Sequence, residues 1–153
     1  MAIEFLKLRD PYGCFSNFWR CSIIWGGQVW PSSEHLYQAL KYEGTDNTFS
    51  QLIRKAQTPR DAADLGRRGR NIRPDWDNIR VAIMEQVVLE KFVQNEDLRR
   101  VLHATGNEEI REVFPGERFW SYADGRGRNE LGKVLMRVRD KTYGMPYTQL
   151  TLI

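Results

Sequence analysis

The sequence predicts an α+β domain, mainly α-helical, with a small β-sheet contributed mostly by its N-terminal part. Three observations carry that prediction. Short apolar runs near the start alternate with polar residues or flank a glycine pair. The hydrophobic period changes after Pro31. From there to about Tyr143 apolar residues recur at helical spacing. A chain of 153 residues suits one domain and leaves no room for a second of comparable size.

The alternation over residues 3–8 reads as a half-buried strand. Residues 21–25 and 29–30 flank Gly26-Gly27, a pair that tolerates the positive φ of a tight hairpin turn. Pro31-Ser32-Ser33 then opens a helix reaching about Glu43, with serine as N-cap and Gly44 as its stop. Phe49, Leu52, Ile53 and Ala56 mark a second helix. Thr58 as cap and Pro59 at the first helical position open a third, ended by Gly66 or Gly69. The longest helix is expected from Pro74 to about Gln94, with Trp76, Ile79, Ile83, Val87 and Val88 on its buried side. A short one follows to Ala104, and a last from Asn129 to about Tyr143. Residues 145–153 are apolar-rich and read as an added edge strand or a contact surface.

Composition narrows the function. Hydrophobic residues at 41% and charged residues at 28% are ordinary globular usage and exclude disorder or a fibre. The net charge of +3 is too small to mark a nucleic-acid binder by itself. No apolar run is long enough to cross a bilayer, and the start lacks a signal-peptide pattern, so a cytoplasmic protein with no membrane partner is expected. Cys14 and Cys21 are expected to be reduced thiols; with no second pair or histidine set they form no zinc site, and neither metal nor cofactor is expected. Oligomeric state is not readable.

Three clusters carry candidate chemistry. In Ser32-Ser33-Glu34-His35-Leu36-Tyr37-Gln38-Ala39-Leu40-Lys41, helical offsets place Glu34, Gln38 and Lys41 on one face. Glu34 falls in the first turn, where dipole and amides are expected to hold it ionised, as a general base or a stabiliser of positive charge. Alternatively it only complements the dipole, and His35 only caps or packs. Near the other end, Phe119-Trp120-Ser121-Tyr122-Ala123-Asp124 precedes alternating glycines and arginines up to Asn129. That is either a loop approaching an anion, with Asp124 as second carboxylate, or a turn capped by Asn129. The stretch 54–80 holds eight Lys or Arg against four Asp or Glu, and Arg67 and its neighbours read as phosphate-gripping or as a solvated basic face. Trp76 is core or a stacking surface, and Phe15-Ser16-Asn17-Phe18 is a ligand rim or a turn.

In order, these elements resemble the YbiA-like family, also called the NADAR domain. The resemblance rests on F-S-N-F at 15–18, W-P-S-S-E-H-L-Y-Q-A-L-K at 30–41, A-A-D-L-G-R at 62–67 and R-P-D-W at 73–76. It closes on F-W at 119–120 with D-G-R-G-R-N-E-L-G-K-V-L-M-R-V-R at 124–139. It covers most of an expected domain at 1–144 and leaves 145–153 as an extension. What it implies is N-glycosidase chemistry, cleavage of a ribose–base C–N bond in phosphorylated pyrimidine intermediates of riboflavin synthesis or in ADP-ribosylated guanine. By motif, Glu34 would be the catalytic carboxylate and Asp124 a second acid. Ser16, Asn17, His35, Gln38, Lys41, Arg67, Trp76, Trp120 and Asn129 would bind substrate. Ser121 departs from the glycine many relatives carry after the tryptophan. The implied partner is a phosphorylated ribosyl or ADP-ribosyl compound, with ADP-ribosylated DNA or RNA as an extension. The competing classes are a non-catalytic ADP-ribose or nucleotide-binding module and a nucleic-acid binder using 54–80.

Overall fold

The computed structural model describes residues 1–148. Strand β1 (Ile3–Phe5) is shorter than the sequence suggests. The Asp10 carboxylate accepts hydrogen bonds from the amides of Leu6 at 3.0 Å and Lys7 at 2.7 Å and turns the chain away. After a single 3-10 turn (Gly13–Phe15), β2 (Arg20–Trp25) and β3 (Gln28–Ser32) form the expected antiparallel hairpin. Its glycines sit at φ +58° and +74°, the left-handed region a tight two-residue connection demands.

The expectation of one N-terminal sheet needs correcting. Two separate two-stranded sheets form, and β1 pairs in parallel with β4 (Ile110–Glu112) from the far end of the chain. Three residues are too few to display a period, so β4 has no signature in the sequence.

The helices are α1 (Ser33–Leu40), α2 (Asn47–Arg54), α3 (Pro59–Arg68), α4 (Trp76–Gln94), α5 (Glu96–Ala104) and α6 (Glu130–Thr142). Ser32 and Thr58 cap α1 and α3 through their hydroxyls, as their sequences dictate. On α4 the buried side rotates from the expected stripe. Ile79 and Ile83 are half-buried, whereas Met84, Val87, Val88, Lys91 and Phe92 are buried, because the helix packs on β2, α1 and α6 at once. Helix α1 is unlike the rest. Every residue in it is buried, with β3, α2, α3 and α4 packed around it. A helix enclosed on all sides must satisfy each polar group internally or reserve it for a ligand.

Beyond α6, residues 145–148 run irregularly along α5. Arg99 donates to the Pro146 carbonyl at 3.0 Å, and the Arg100 guanidinium lies 4.1 Å from the Tyr147 ring. This part is not an edge strand, and the rest of the expected extension, 149–153, lies outside the described residues. Cys14 and Cys21 are free thiols. Among the described residues no helix is long and apolar enough to cross a membrane.

Candidate active site

The polar residues of α1 divide by whether the protein uses them up. His35 is wholly enclosed, and both ring nitrogens are engaged: Nδ1 with Ser32 Oγ at 2.7 Å and Nε2 with the Ala56 carbonyl at 3.0 Å. A carbonyl can only accept, so Nε2 carries the proton and Ser32 donates to Nδ1. Burial holds the ring's pKa below its usual value. His35 therefore pins α1 to the end of α2 and has no nitrogen left for a substrate, which corrects its assignment as a binding residue. Ser33 donates to Asn17 Oδ1 at 2.8 Å, and Asn17 gives its amide to Met84 Sδ at 3.4 Å. The Asn17 carbonyl also accepts the Glu34 N–H at 3.1 Å. Asn17 thus clamps the start of α1. Ser16 supports it from the turn, its hydroxyl accepting from Phe18 N at 3.1 Å and its carbonyl from Lys91 Nζ at 2.9 Å.

Glu34 and Gln38 remain. Gln38 donates from Nε2 to Glu34 Oε1 at 2.7 Å, while its own Oε1 is buried without a partner among the described residues. Helix α3 presses on this pair. A Cβ on Gly66 would stand 2.0 Å from Gln38 Oε1, which explains the glycine in A-A-D-L-G-R as a demand for contact distance. Glu34 is only 9% exposed, and burial drives its pKa upward against the Gln38 hydrogen bond and the charges of Lys41 and Arg67. The expected dipole effect loses to desolvation, and the residue's own amide is already spent on Asn17. Lys41, at the end of α1, is pushed down by burial and by Arg67 and Arg80, with Glu34 pulling the other way. Arg67 itself is exposed and pairs with Asp64 at 3.5 Å.

An aromatic wall adjoins this group. The Tyr37 ring lies 5.1 Å from Trp76 and 5.6 Å from Trp120, and Phe119 meets Trp120 edge-on at 4.9 Å. Trp76 is 6% exposed and belongs to the core as much as to the wall, whereas Trp120 and Phe119 are half-buried. The guanidiniums of Arg80 and Arg128 lie 3.7 Å and 4.8 Å from the Phe119 ring. Glu117 holds the wall's loop by accepting from the amides of Phe119, Trp120 and Ser121 at 3.3, 2.5 and 2.8 Å. The departure at Ser121 has a physical reason: its buried hydroxyl donates to the Glu112 carbonyl at 2.8 Å and ties the loop to β4.

Two residues of that loop sit otherwise than expected. Asn129 precedes α6 in the left-handed region, φ 55°, and its side chain makes no cap. Its amide bonds the Ile110 carbonyl at 2.9 Å and its oxygen accepts the Glu112 N–H at 3.3 Å, so it fastens β4 rather than reaching for a ligand. Asp124 is exposed on the turn, its carboxylate open to solvent. Glu112 is different. It faces the charges of Glu34 and Glu117 and is pushed up to about 7, mainly by burial.

Two surface hollows, about 580 and 690 Å³, are lined by residues 1–2 with 105–111 and by residues 46–55, not by this cluster. Neither gathers a buried carboxylate with aromatic and basic neighbours. Among the described residues no group of three His, Cys, Asp or Glu is arranged to hold a metal ion.

The family model described as the NADAR domain matches residues 4–142. This chain belongs to the NADAR domain family. N-glycosidase Npun_R5314 of Nostoc punctiforme is 44% identical over 144 residues, covering 92% of both chains. N-glycosidase YbiA of Escherichia coli is 35% identical across 91% of this chain and 87% of its own. The NMR structure of E. coli YbiA superimposes with a TM-score of 0.85 over 94% of this chain and 85% of that one, at 33% identity. Riboflavin biosynthesis protein VVA0006 of Vibrio vulnificus is 42% identical over 91% of this chain but only 38% of its own length. The α+β fold is that of YbiA, and the enzyme class expected from the motifs is borne out at the level of the NADAR family.

Within this NADAR domain the motifs assign no role to Tyr37, Arg80, Glu112, Glu117 or Phe119. Tyr37 stands one turn beyond Glu34, and Arg80 one turn beyond Trp76, so helical spacing alone points to both. Glu112 has no such signal, since its strand is brought in by a long-range pairing.

Proposed function

We propose that this chain is an N-glycosidase that hydrolyses the C–N bond between ribose and a base in a phosphorylated ribosyl compound. The observation that carries the reading is Glu34, an enclosed carboxyl on a wholly buried helix, beside the cations Lys41 and Arg67 and an aromatic wall. Breaking a ribosyl C–N bond builds positive charge on the sugar. Glu34 stabilises that charge and takes the proton of the attacking water; its raised pKa makes it a stronger base than an exposed glutamate. Lys41 and Arg67 hold the phosphate away from the scission point, so binding energy there is converted into alignment. Trp120, the more open face of the wall, stacks the departing base, with Tyr37 and Trp76 behind it.

Pyrimidine intermediates of riboflavin synthesis are the leading substrates, supported by the names of relatives such as VVA0006. ADP-ribosylated guanine is the second arm. The Arg80 and Arg128 guanidiniums at Phe119 add cations that a second phosphate would need. The test is incubation of the full chain with ribosylated pyrimidine phosphates and ADP-ribosylated guanosine, reading free base by mass spectrometry. Release from one class supports the reading, and release from none refutes it.

A further inference from the structure

Glu112 differs from every other carboxylate in the fold. Each other aspartate or glutamate that is not fully exposed has a partner. Glu130 holds Arg128 at 2.9 Å, Glu117 caps three amides, Glu85 binds Lys141 at 2.7 Å, and Glu34 has Gln38. The Glu112 carboxyl has none among the described residues, although its backbone N–H and carbonyl are both engaged. Strand alternation sets its direction. Ile110 is fully buried and Arg111 lies out against the Tyr122 ring at 4.1 Å, so Glu112 shares the inward face with Ile110. The charges that act on it are those of Glu34 on α1 and Glu117 on the wall's loop, both negative. Ser121, Asn129 and Tyr122 all bond its backbone, so the loop bearing Trp120 and the strand bearing Glu112 are one rigid unit.

Resting on the hydrolytic reading above, we propose that Glu112, and not Asp124, protonates the departing base. Two neighbouring carboxyls, one buried and one half-buried, do not both ionise cheaply, so one keeps a proton while the other is a base. Helix α1 gives Glu34 a hydrogen-bond donor and two cations, which favour its charged form, and Glu112 has neither. Its position near 7 leaves a large protonated fraction at neutral pH. In the step itself the C–N electron pair passes to the base nitrogen, which takes the Glu112 proton. Water oxygen bonds to the anomeric carbon and gives its proton to Glu34. The pair is left with Glu34 protonated and Glu112 ionised, and one proton transfer between them, directly or through water, restores the starting state.

The experiment measures kcat/KM of the full chain and its Glu112→Gln, Glu112→Asp and Asp124→Asn variants on two substrates. One is a 5′-phosphoribosylated aminopyrimidine, whose leaving base needs a proton; the other is 4-nitrophenyl riboside 5-phosphate, whose leaving group does not. The proposal expects Glu112→Gln to lose on the order of 10²–10⁴-fold on the first and under about 5-fold on the second, with the basic limb of the pH profile abolished. Glu112→Asp keeps that limb, and Asp124→Asn changes neither substrate by more than about 5-fold. Equal losses on both substrates, or no loss, overturn the role of Glu112 and leave the hydrolytic reading standing. A wild-type chain that cleaves neither compound overturns both.

Discussion

Replacing Gly66 with alanine tests whether the contact between α3 and α1 holds the site together. In most helices this change gains about 1 kcal/mol, since alanine is the better helix former. Here the added methyl would lie 2.0 Å from Gln38 Oε1, 2.7 Å from its Cδ and 2.9 Å from its Cβ. Ordinary contact needs 3.4 Å or more, and the clash reaches the root of the side chain, so turning the amide alone does not relieve it. Overpacking of this kind costs about 1–3 kcal/mol. Displacing Gln38 also strips Glu34 of its donor, a hydrogen bond to a buried charge worth about 1.5–3 kcal/mol. The sign therefore reverses, and Gly66→Ala is expected to destabilise the fold by about 2 kcal/mol or more in urea at pH 7. Glu34, without its donor, moves further up, so the acidic limb of the activity profile shifts to higher pH. A variant about 1 kcal/mol more stable than wild type, with an unmoved pH profile, would refute the reasoning.

Three further outcomes follow from burial. Glu112 binds its proton more tightly folded than unfolded, so it costs stability as pH rises from 4.5 through about 7. Glu112→Gln is therefore expected to match wild type near pH 4 and to gain up to about 3 kcal/mol by pH 8, read from denaturation midpoints. Lys91, 1% exposed and lowered to about 8 by burial, prefers to be neutral in the folded chain. Its penalty is full below pH 8 and relieved toward 10.5, so the stability of Lys91→Met relative to wild type should fall by up to about 3 kcal/mol across that window. Trp76→Ala should lose about 3–5 kcal/mol of stability as a core truncation, whereas Trp76→Phe keeps most of it; equal losses would remove shape from the argument.

What was legible in the sequence was local chemistry. The glycine pair, the Thr58-Pro59 start and the serine cap of α1 each act through neighbours along the chain, and each forms as expected. What was not legible depends on distant partners. Helix α1 shows a polar face in sequence, but enclosure by four elements sets burial against the dipole at Glu34 and consumes His35 and Asn17 as fasteners. Strand β4 exists only because β1 offers it an edge, and Glu112 arrives with it. Asp124 lies beside suggestive glycines and arginines, yet nothing along the chain reveals that its turn faces solvent.

The most direct measurement of the central claim is single-turnover release of base by Glu34→Gln beside wild type, with ligand affinity measured on both by calorimetry. The account expects a folded variant that binds a ribosyl phosphate within a few-fold of wild type and releases base at least about 10²-fold more slowly. Release at a near wild-type rate would contradict it.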